Sequence, residues 1–377
     1  MSRFLISCGG TGGHLSPGIA LAEGLVDRGH AVRILVSRKR VDARLIEKYA
    51  NLEFDSIPGA GFSLRPSELA RFLSQQALGF LKSVRLMRRF RPDAVVGFGG
   101  FTSAAFIAAG AMTGIPVVLH EANRIPGRAI RLMGRFARRV YLPAGVRLSS
   151  LSRNVVREAG LPVRREFKRE DAREARLQLG LEESRPVVAV LGGSQGATAL
   201  NDWARCELGV LGADGVQVYC VTGLGKGAPE RIEIVSAAGD RVRHVFAPFC
   251  DRMATLLSAT DLVVSRAGAG TLAELVRIGT PAVLIPFPFA ADNHQDANAD
   301  YFLQQGCGEV VSQDRLHTLT ERVRSLLTTD GRRALFRSNL ERLDRVDPLP
   351  SMITDLEEIV HRDKRGATLL PGTLGLA

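Results

Sequence analysis

The residues Arg3-Phe4-Leu5-Ile6-Ser7-Cys8-Gly9-Gly10-Thr11-Gly12-Gly13-His14 decide how this chain reads. Arg3–Ser7 is a short apolar run with strand character. A glycine-rich loop follows, then a helical stretch from Pro17 to Arg28 that stops at Gly29. Ala31–Val36 supplies the next strand. The same unit returns with Asp93–Val96 as strand, Gly97–Ser103 as loop and a small-residue helix from Ala104. Pro116–Leu119 is then a strand that delivers His120-Glu121-Ala122-Asn123 at its C-terminal end. The pattern restarts at Pro186–Leu191, with the loop Gly192-Gly193-Ser194-Gln195-Gly196 and a helix from Ala197. Strand Asp261–Ser265, loop Arg266–Gly270, helix Thr271–Ile278 and strand Pro281–Pro286 close the series.

Strands alternating with helices predict an α/β protein with parallel sheets covered on both faces. Over 377 residues the prediction is two Rossmann-like domains facing one another across a cleft, with the glycine loops at the carboxyl ends of the strands, where such sheets bind ligands. Gly160–Arg164 reads as the linker. A second crossing falls near Asp347-Pro348-Leu349-Pro350, followed by a helix from Ser351 to about His361. The expected domains are therefore 1–163 with 351–366, and 164–347, leaving 367–377 as a disordered tail.

Composition narrows the function. Hydrophobic residues are 45% and charged residues 24%, which excludes whole-chain disorder, collagen and a disulfide scaffold. The net charge is +11, and only six of the 50 basic residues are Lys. Such a surface suits an anionic partner, unless the arginine content only mirrors genome composition. Nucleic acid is not expected, because the chain has no zinc motif, aromatic RNP-like strand or concentrated basic run. Five cysteines without a C-x-x-C pair point to reduced thiols in a cytoplasm. Leu5–Cys8 resembles a lipoprotein box, but the apolar stretch before it is far below the roughly 7–15 residues of a signal sequence. No membrane span is expected, since glycines and Pro116 interrupt the longest apolar run, Ala104–Leu119.

A glycine loop that runs into a helix presents backbone N–H groups to phosphate. None of these loops is a Walker A motif. The dinucleotide fingerprint also fails: Gly10–Leu15 lacks its third glycine, and the next strand ends at Ser37-Arg38 without a ribose-binding acid. Arg266–Glu274 is more specific. Its loop can take a diphosphate, and Glu274, about one turn into the helix, can accept ribose hydroxyls or serve as a helix-dipole partner. The amides of Asn293–Asn298 suit sugar hydroxyls, because they donate and accept.

Six motifs in order resemble glycosyltransferase family 28, the MurG family: GGTGGH at 9–14, HEAN at 120–123, GLPVR at 160–164, GGSQGATALN at 192–201, RAGAGTLAE at 266–274 and HQDANA at 294–299. The resemblance implies a GT-B fold whose C-terminal helix crosses back to the N-terminal domain. It implies inverting transfer of N-acetylglucosamine from UDP-N-acetylglucosamine to the 4-hydroxyl of the muramoyl-pentapeptide of lipid I, giving lipid II, with no cofactor. It further implies a peripheral enzyme on the cytoplasmic face of the bacterial inner membrane. By the same carry-over, Thr11, Gly12, Gly13, Asn123, Arg164, Ser194, Cys250 and Gln295 line the donor site, Cys250 through its backbone. Arg266, Ala269, Gly270, Thr271, Leu272, Ala273 and Glu274 join them, with Asn298 and Asn201 as further members. His14 is the expected base, with Glu121 second. No Asp-x-Asp pair offers a metal clamp, so helix N-termini, Arg164, Arg266 and Ser194 are expected to stabilise the departing UDP. The chain departs from the family at Phe101, usually Tyr, and at Ala122 and Leu161, where HEQN and GNPVR carry amides. The alternative is another GT-B transferase that uses a UDP-sugar and a lipid or natural-product acceptor; the N-terminal half discriminates.

Ser67–Arg91 adds an amphipathic segment. Leu69, Leu73, Ala77, Phe80, Val84 and Met87 form a stripe expected to pack on the core, unless Gly79 splits the helix. Arg71, Lys82, Arg85 and Arg89 form a distant basic arc with Leu78 among them, suited to an anionic membrane surface.

Overall fold

The computed structural model describes residues 1–8, 12–37, 40–58, 65–193 and 196–368. They form two compact units. Unit 1 is Met1–Ala122, Pro126–Arg164 and Asp347–Ala377; unit 2 is Asn123–Ile125 and Arg165–Val346. Arg164 thus belongs to unit 1 rather than to the donor half. The C-terminal helix spans Pro348–Thr368, opening three residues before the expected Ser351, running past the expected end near His361 and continuing two residues into the expected tail. Both prolines fit its first turn, where no intrahelical N–H donor is required, and the Asp347 carboxylate accepts from Leu349 N–H at 3.0 Å.

Unit 1 holds strands β1 Arg3–Ser7, β2 Ala31–Val36, β3 Glu53–Ser56, β4 Ala94–Gly97, β5 Val117–His120, β6 Arg139–Leu142 and β7 Val156–Glu158. They form a parallel sheet in the order β3-β2-β1-β4-β5-β6-β7. Unit 2 holds β8 Val187–Leu191, β9 Gln217–Val221, β10 Glu230–Val235, β11 Arg241–Ala247, β12 Leu262–Ser265, β13 Ala282–Leu284 and β14 Gly308–Val310, in the order β10-β11-β9-β8-β12-β13-β14. One pairing departs from the all-parallel expectation: β10 runs antiparallel to β11, because five residues connect the two and cannot make a parallel crossover.

Helices begin inside the glycine loops rather than after them. The first spans Gly12–Asp27, with Pro17 as its sixth residue, which forfeits only the bond to the Gly13 carbonyl. The next two of interest begin at Phe101 and Ala269, not at Ala104 and Thr271. Pro66–Phe90 is a single helix that Gly79 does not split. Gly79 is buried because an added Cβ there would already touch the Pro58 carbonyl oxygen at 3.4 Å and the Ala105 Cβ at 3.7 Å. The buried line is Gly79, Ser83 and Met87, with Phe80 and Val84 half-buried beside it. The expected stripe fails in its first half, where Leu73 is 58% exposed and Ala77 is also exposed.

The C-terminal helix joins the core of unit 1 through Met352, Ile353, Leu356, Ile359 and Val360. Gly24 makes room for it: a Cβ there would lie 2.6 Å from Ile353 Cδ1. Asp355 fastens it to the sheet, accepting from Arg139 Nε at 2.7 Å, Arg139 Nη2 at 2.9 Å and the Tyr141 hydroxyl at 2.7 Å. Burial alone would raise the Asp355 pKa, but the bonds from Arg139 and Tyr141 outweigh it and hold the carboxylate below its ordinary value. The stability this contributes is complete above the unfolded pKa of about 3.9 and drains as pH falls through the lower folded value. Asp355→Ala should cost about 3–5 kcal/mol by leaving the Arg139 charge and the Tyr141 hydroxyl without their partner, read from urea unfolding followed by circular dichroism at pH 7.

Candidate active site

In each unit the strand order reverses once in the middle, between β1 and β4 and between β8 and β12. Chain leaving the two strands on either side of such a point departs to opposite faces, and a crevice opens at their carboxyl ends. In unit 1 this edge carries the start of the Gly12–Asp27 helix, with His14 on its first turn, and the Phe98–Gly100 loop. Gly99 and Gly100 have φ of 87° and 85°, and a Cβ on Gly99 would lie 3.6 Å from His14 Cε1. His14 is therefore a helix residue packed by the second loop, not the last residue of the first one.

His120 ends β5 fully buried, stacked on Phe98 with ring centroids 5.2 Å apart. Its Nε2 lies 3.0 Å from the Gly160 carbonyl oxygen, so that nitrogen carries the proton. Burial is the main reason its pKa falls to about 4, opposed by the Gly160 bond and assisted by the neighbouring His14, so the ring is neutral at physiological pH. Nothing in the sequence around HEAN distinguishes this buried histidine from a surface one. Glu121 is also buried, and one carboxylate oxygen accepts from Gly127 N–H at 2.7 Å, which closes the 121–127 turn ahead of the Arg128–Met133 helix. Arg164 is buried in unit 1 with Nη1 3.2 Å from the Tyr49 hydroxyl.

In unit 2 the corresponding loops are Gly192–Gly196 and Arg266–Gly268. A side chain at Gly192 would sit 2.2 Å from Ala197 N, and one at Gly196 only 2.1 Å from the Thr222 carbonyl oxygen, so Gly196 lies directly against the start of the loop after β9. The Ala269–Ile278 helix begins directly behind Gly268, which lacks a side-chain cap. The N–H groups of Ala269, Gly270 and Thr271 precede the first intrahelical bond, from Leu272 N–H to the Gly268 carbonyl, and a Cβ at Gly268 would meet nothing within 4 Å. A helix end of this kind, with room before it, suits an anion. Leu272 and Ala273 continue the half-buried face. Glu274 is the sixth residue of the helix, beyond the first turn, where the helix-dipole role weakens.

Around that helix end, polar side chains hold the protein together. Arg266 points its guanidinium at the carbonyls of Ile285 and Pro286, both at 3.1 Å, and at the Gln313 side chain. Gln295 accepts from Ala267 N–H at 3.2 Å and Phe287 N–H at 3.0 Å, so its NH2 is the end it can offer a ligand. Asn298 accepts from Arg124 N–H at 2.9 Å and donates to Asn123 Oδ1 and the Ala267 carbonyl, both at 3.1 Å. With Arg124 stacked 4.1 Å over the Tyr301 ring, these bonds seat Asn123–Ile125 on unit 2. Asn201 donates to the Thr222 carbonyl at 2.9 Å, and Cys250 lies buried in the loop after β11. Thr11 and Ser194 lie outside the described residues.

The geometry of unit 2 suits a diphosphate on a helix end, and that of unit 1 a histidine at a crevice. The glycosyltransferase family 28 N-terminal domain matches residues 4–142, and the family 28 C-terminal domain matches residues 187–341. A protein of Opitutus terrae named UDP-N-acetylglucosamine--N-acetylmuramyl-(pentapeptide) pyrophosphoryl-undecaprenol N-acetylglucosamine transferase is 56% identical over 373 residues, covering 99% of this chain and 98% of its own. The chain belongs to glycosyltransferase family 28. A relative of the same name from Desulforudis audaxviator is 32% identical, covering 96% of this chain and 100% of its own. Among solved structures, MurG of Acinetobacter baumannii superposes with a TM-score of 0.67 at 22% identity, covering 94% of this chain and 99% of that one. The calicheamicin glycosyltransferase CalG4 gives 0.66 at 15%, covering 98% and 100%. The fold of this family 28 member is thus GT-B.

The Asn298 bonds make a direct test of how this site is built. Asn298→Ala should cost about 2–4 kcal/mol of stability, since Arg124 N–H and the Ala267 carbonyl lose their partner in the interior. The shift should register in urea unfolding followed by the fluorescence of Trp203, the single tryptophan, which lies in unit 2.

Proposed function

We propose that this family 28 enzyme transfers N-acetylglucosamine from UDP-N-acetylglucosamine to the 4-hydroxyl of the muramoyl-pentapeptide of lipid I, with inversion, giving lipid II and UDP. The observation that carries the reading is the full-length 56% identity to a relative of that name. In unit 2 the open N–H groups of Ala269–Thr271 receive the diphosphate, Glu274 takes the ribose hydroxyls and the Gln295 NH2 reaches the sugar. Asn298, Asn201 and Arg266 act one step back, by fixing the loops. In unit 1 His14 removes the proton from the acceptor hydroxyl as that oxygen attacks the anomeric carbon. Glu121, with one oxygen committed to Gly127, orients rather than abstracts.

Turnover of labelled UDP-N-acetylglucosamine with a lipid I analogue, run against other UDP-sugars, tests the reading; preference for another UDP-sugar would refute it. In the same assay His14→Ala should slow turnover roughly 10²–10⁴-fold with UDP affinity unchanged. Glu274→Ala should instead weaken UDP binding by about 2–4 kcal/mol in calorimetry.

A lipid-linked acceptor calls for a membrane-docking face, and we assign it to the Pro66–Phe90 helix. No helix among the described residues is long and apolar enough to cross a membrane. On this one Leu78 and Leu81 are 54% and 52% exposed, between the exposed Arg71, Arg85 and Arg89 and the half-buried Lys82. Exposed leucines amid cations match an anionic headgroup layer, each basic residue contributing about 1 kcal/mol. Changing Arg71, Lys82, Arg85 and Arg89 together to Glu should abolish binding to anionic vesicles and turnover of embedded acceptor, while a short-chain soluble acceptor is still used. Vesicle binding that persists at physiological salt would place docking elsewhere.

A further inference from the structure

The loop after β9, Gly223-Leu224-Gly225-Lys226-Gly227, is a third glycine-rich segment at the carboxyl edge of unit 2. Gly223, Gly225 and Gly227 have φ of 99°, 80° and 126°, and Lys226 N–H closes a turn on the Gly223 carbonyl at 3.1 Å. β9 is the neighbour of β8, and the start of this loop lies against Gly196. Lys226 reaches across to it, its Nζ 3.2 Å from the Gly196 carbonyl oxygen and 3.2 Å from Thr198 Oγ1.

That position is electrostatically wrong for the protein alone. Thr198 is the first residue of the Thr198–Cys206 helix, which lacks a side-chain cap, and the positive end of a helix disfavours a cation. Lys226 is also exposed, so holding its long side chain in place for two solvent-accessible bonds gains little. An anion in front of the helix end would reverse the sign of the interaction. Two of the three ammonium donors are used by Gly196 and Thr198, and one remains. Arg266, another cation at this edge, has turned its guanidinium to the Ile285 and Pro286 carbonyls.

We propose that Lys226 binds the diphosphate of the nucleotide-sugar donor and stabilises the charge of the departing nucleoside diphosphate. This rests on the UDP-sugar reading above. The test is titration of the full-length wild type, Lys226→Gln and Lys226→Arg with UDP and with uridine, followed by ligand-observed NMR. Lys226→Gln should lose about 10- to 100-fold in UDP affinity, leave uridine affinity unchanged and flatten the salt dependence of UDP binding. Lys226→Arg, which keeps the charge, should recover most of the loss. UDP affinity unchanged in Lys226→Gln would overturn the assignment and leave the donor reading intact. Equal losses for UDP and uridine would also overturn it, by making Lys226 a support of the loop. A wild type that does not bind UDP would remove the donor reading and this inference together.

Discussion

A parallel sheet with right-handed crossovers can place helices on both faces only if its strand order reverses, and both units depend on that reversal. In unit 1 the faces can be read from β1 itself. Phe4 and Ile6 join the core that contains Leu15 and Ile19 of the first helix, whereas Leu5 joins the one containing Phe106 and Ile107. Successive side chains go to opposite layers, so the chain leaving β1 and the chain leaving β4 depart in opposite directions. The crevice is a consequence of this packing and exists before any chemistry is added to it. Unit 2 repeats the arrangement at β8 and β12, with different loops.

What fills the crevices is mostly backbone. At the unit 2 helix end the donors are N–H groups whose direction is set by the helix, and the side chains around them mainly hold backbone in place. Gln295 uses its oxygen on two backbone N–H groups, and Asn298 uses both ends of its amide on three partners. Oriented donors of this kind need no reorganisation when charge develops in front of them. A carboxamide also cannot change charge with pH, so the loops it fixes keep their geometry across the range in which histidines titrate.

Strand positions were legible because β1, β4, β5, β8 and β12 are nearly unbroken apolar runs buried on both faces. Helix starts were not. Glycine and Pro17 read as breaks, yet Gly12, Gly13 and Gly270 lie inside the first turns, where the missing bonds cost least. The β10–β11 hairpin escaped because its alternation sits at a sheet edge, where only one face is covered. The Pro66–Phe90 helix turned because Gly79 and Ser83 permit close approach, the Ser83 hydroxyl being satisfied by the Gly79 carbonyl at 2.8 Å. At the site, residue types were readable but their directions were not. Nothing in the sequence separates an asparagine that meets a sugar from one that pins Asn123–Ile125, because the chemistry of the amide is the same.

The charge of +11 invites a reading as a polyanion footprint, but many of its arginines are structural. Arg176 joins the Ala259 carbonyl at 2.9 Å, the Glu183 carbonyl at 2.6 Å and Asp261 at 2.8 Å. Arg139 binds Asp355 through two nitrogens and the Asn154 carbonyl through a third. Arg277 meets Asp344 at 2.8 Å. Arg176 and Arg139 use the planar fork to tie several chain segments at once, which a lysine, with donors on one nitrogen, does not do. Arg266 follows that pattern, and for this reason its guanidinium at the unit 2 edge is already engaged. A cation meant to follow a ligand in and out needs the opposite properties: one compact head, a flexible stem and few fixed bonds. Among the basic side chains at the unit 2 edge, the ammonium on the loop after β9 has them.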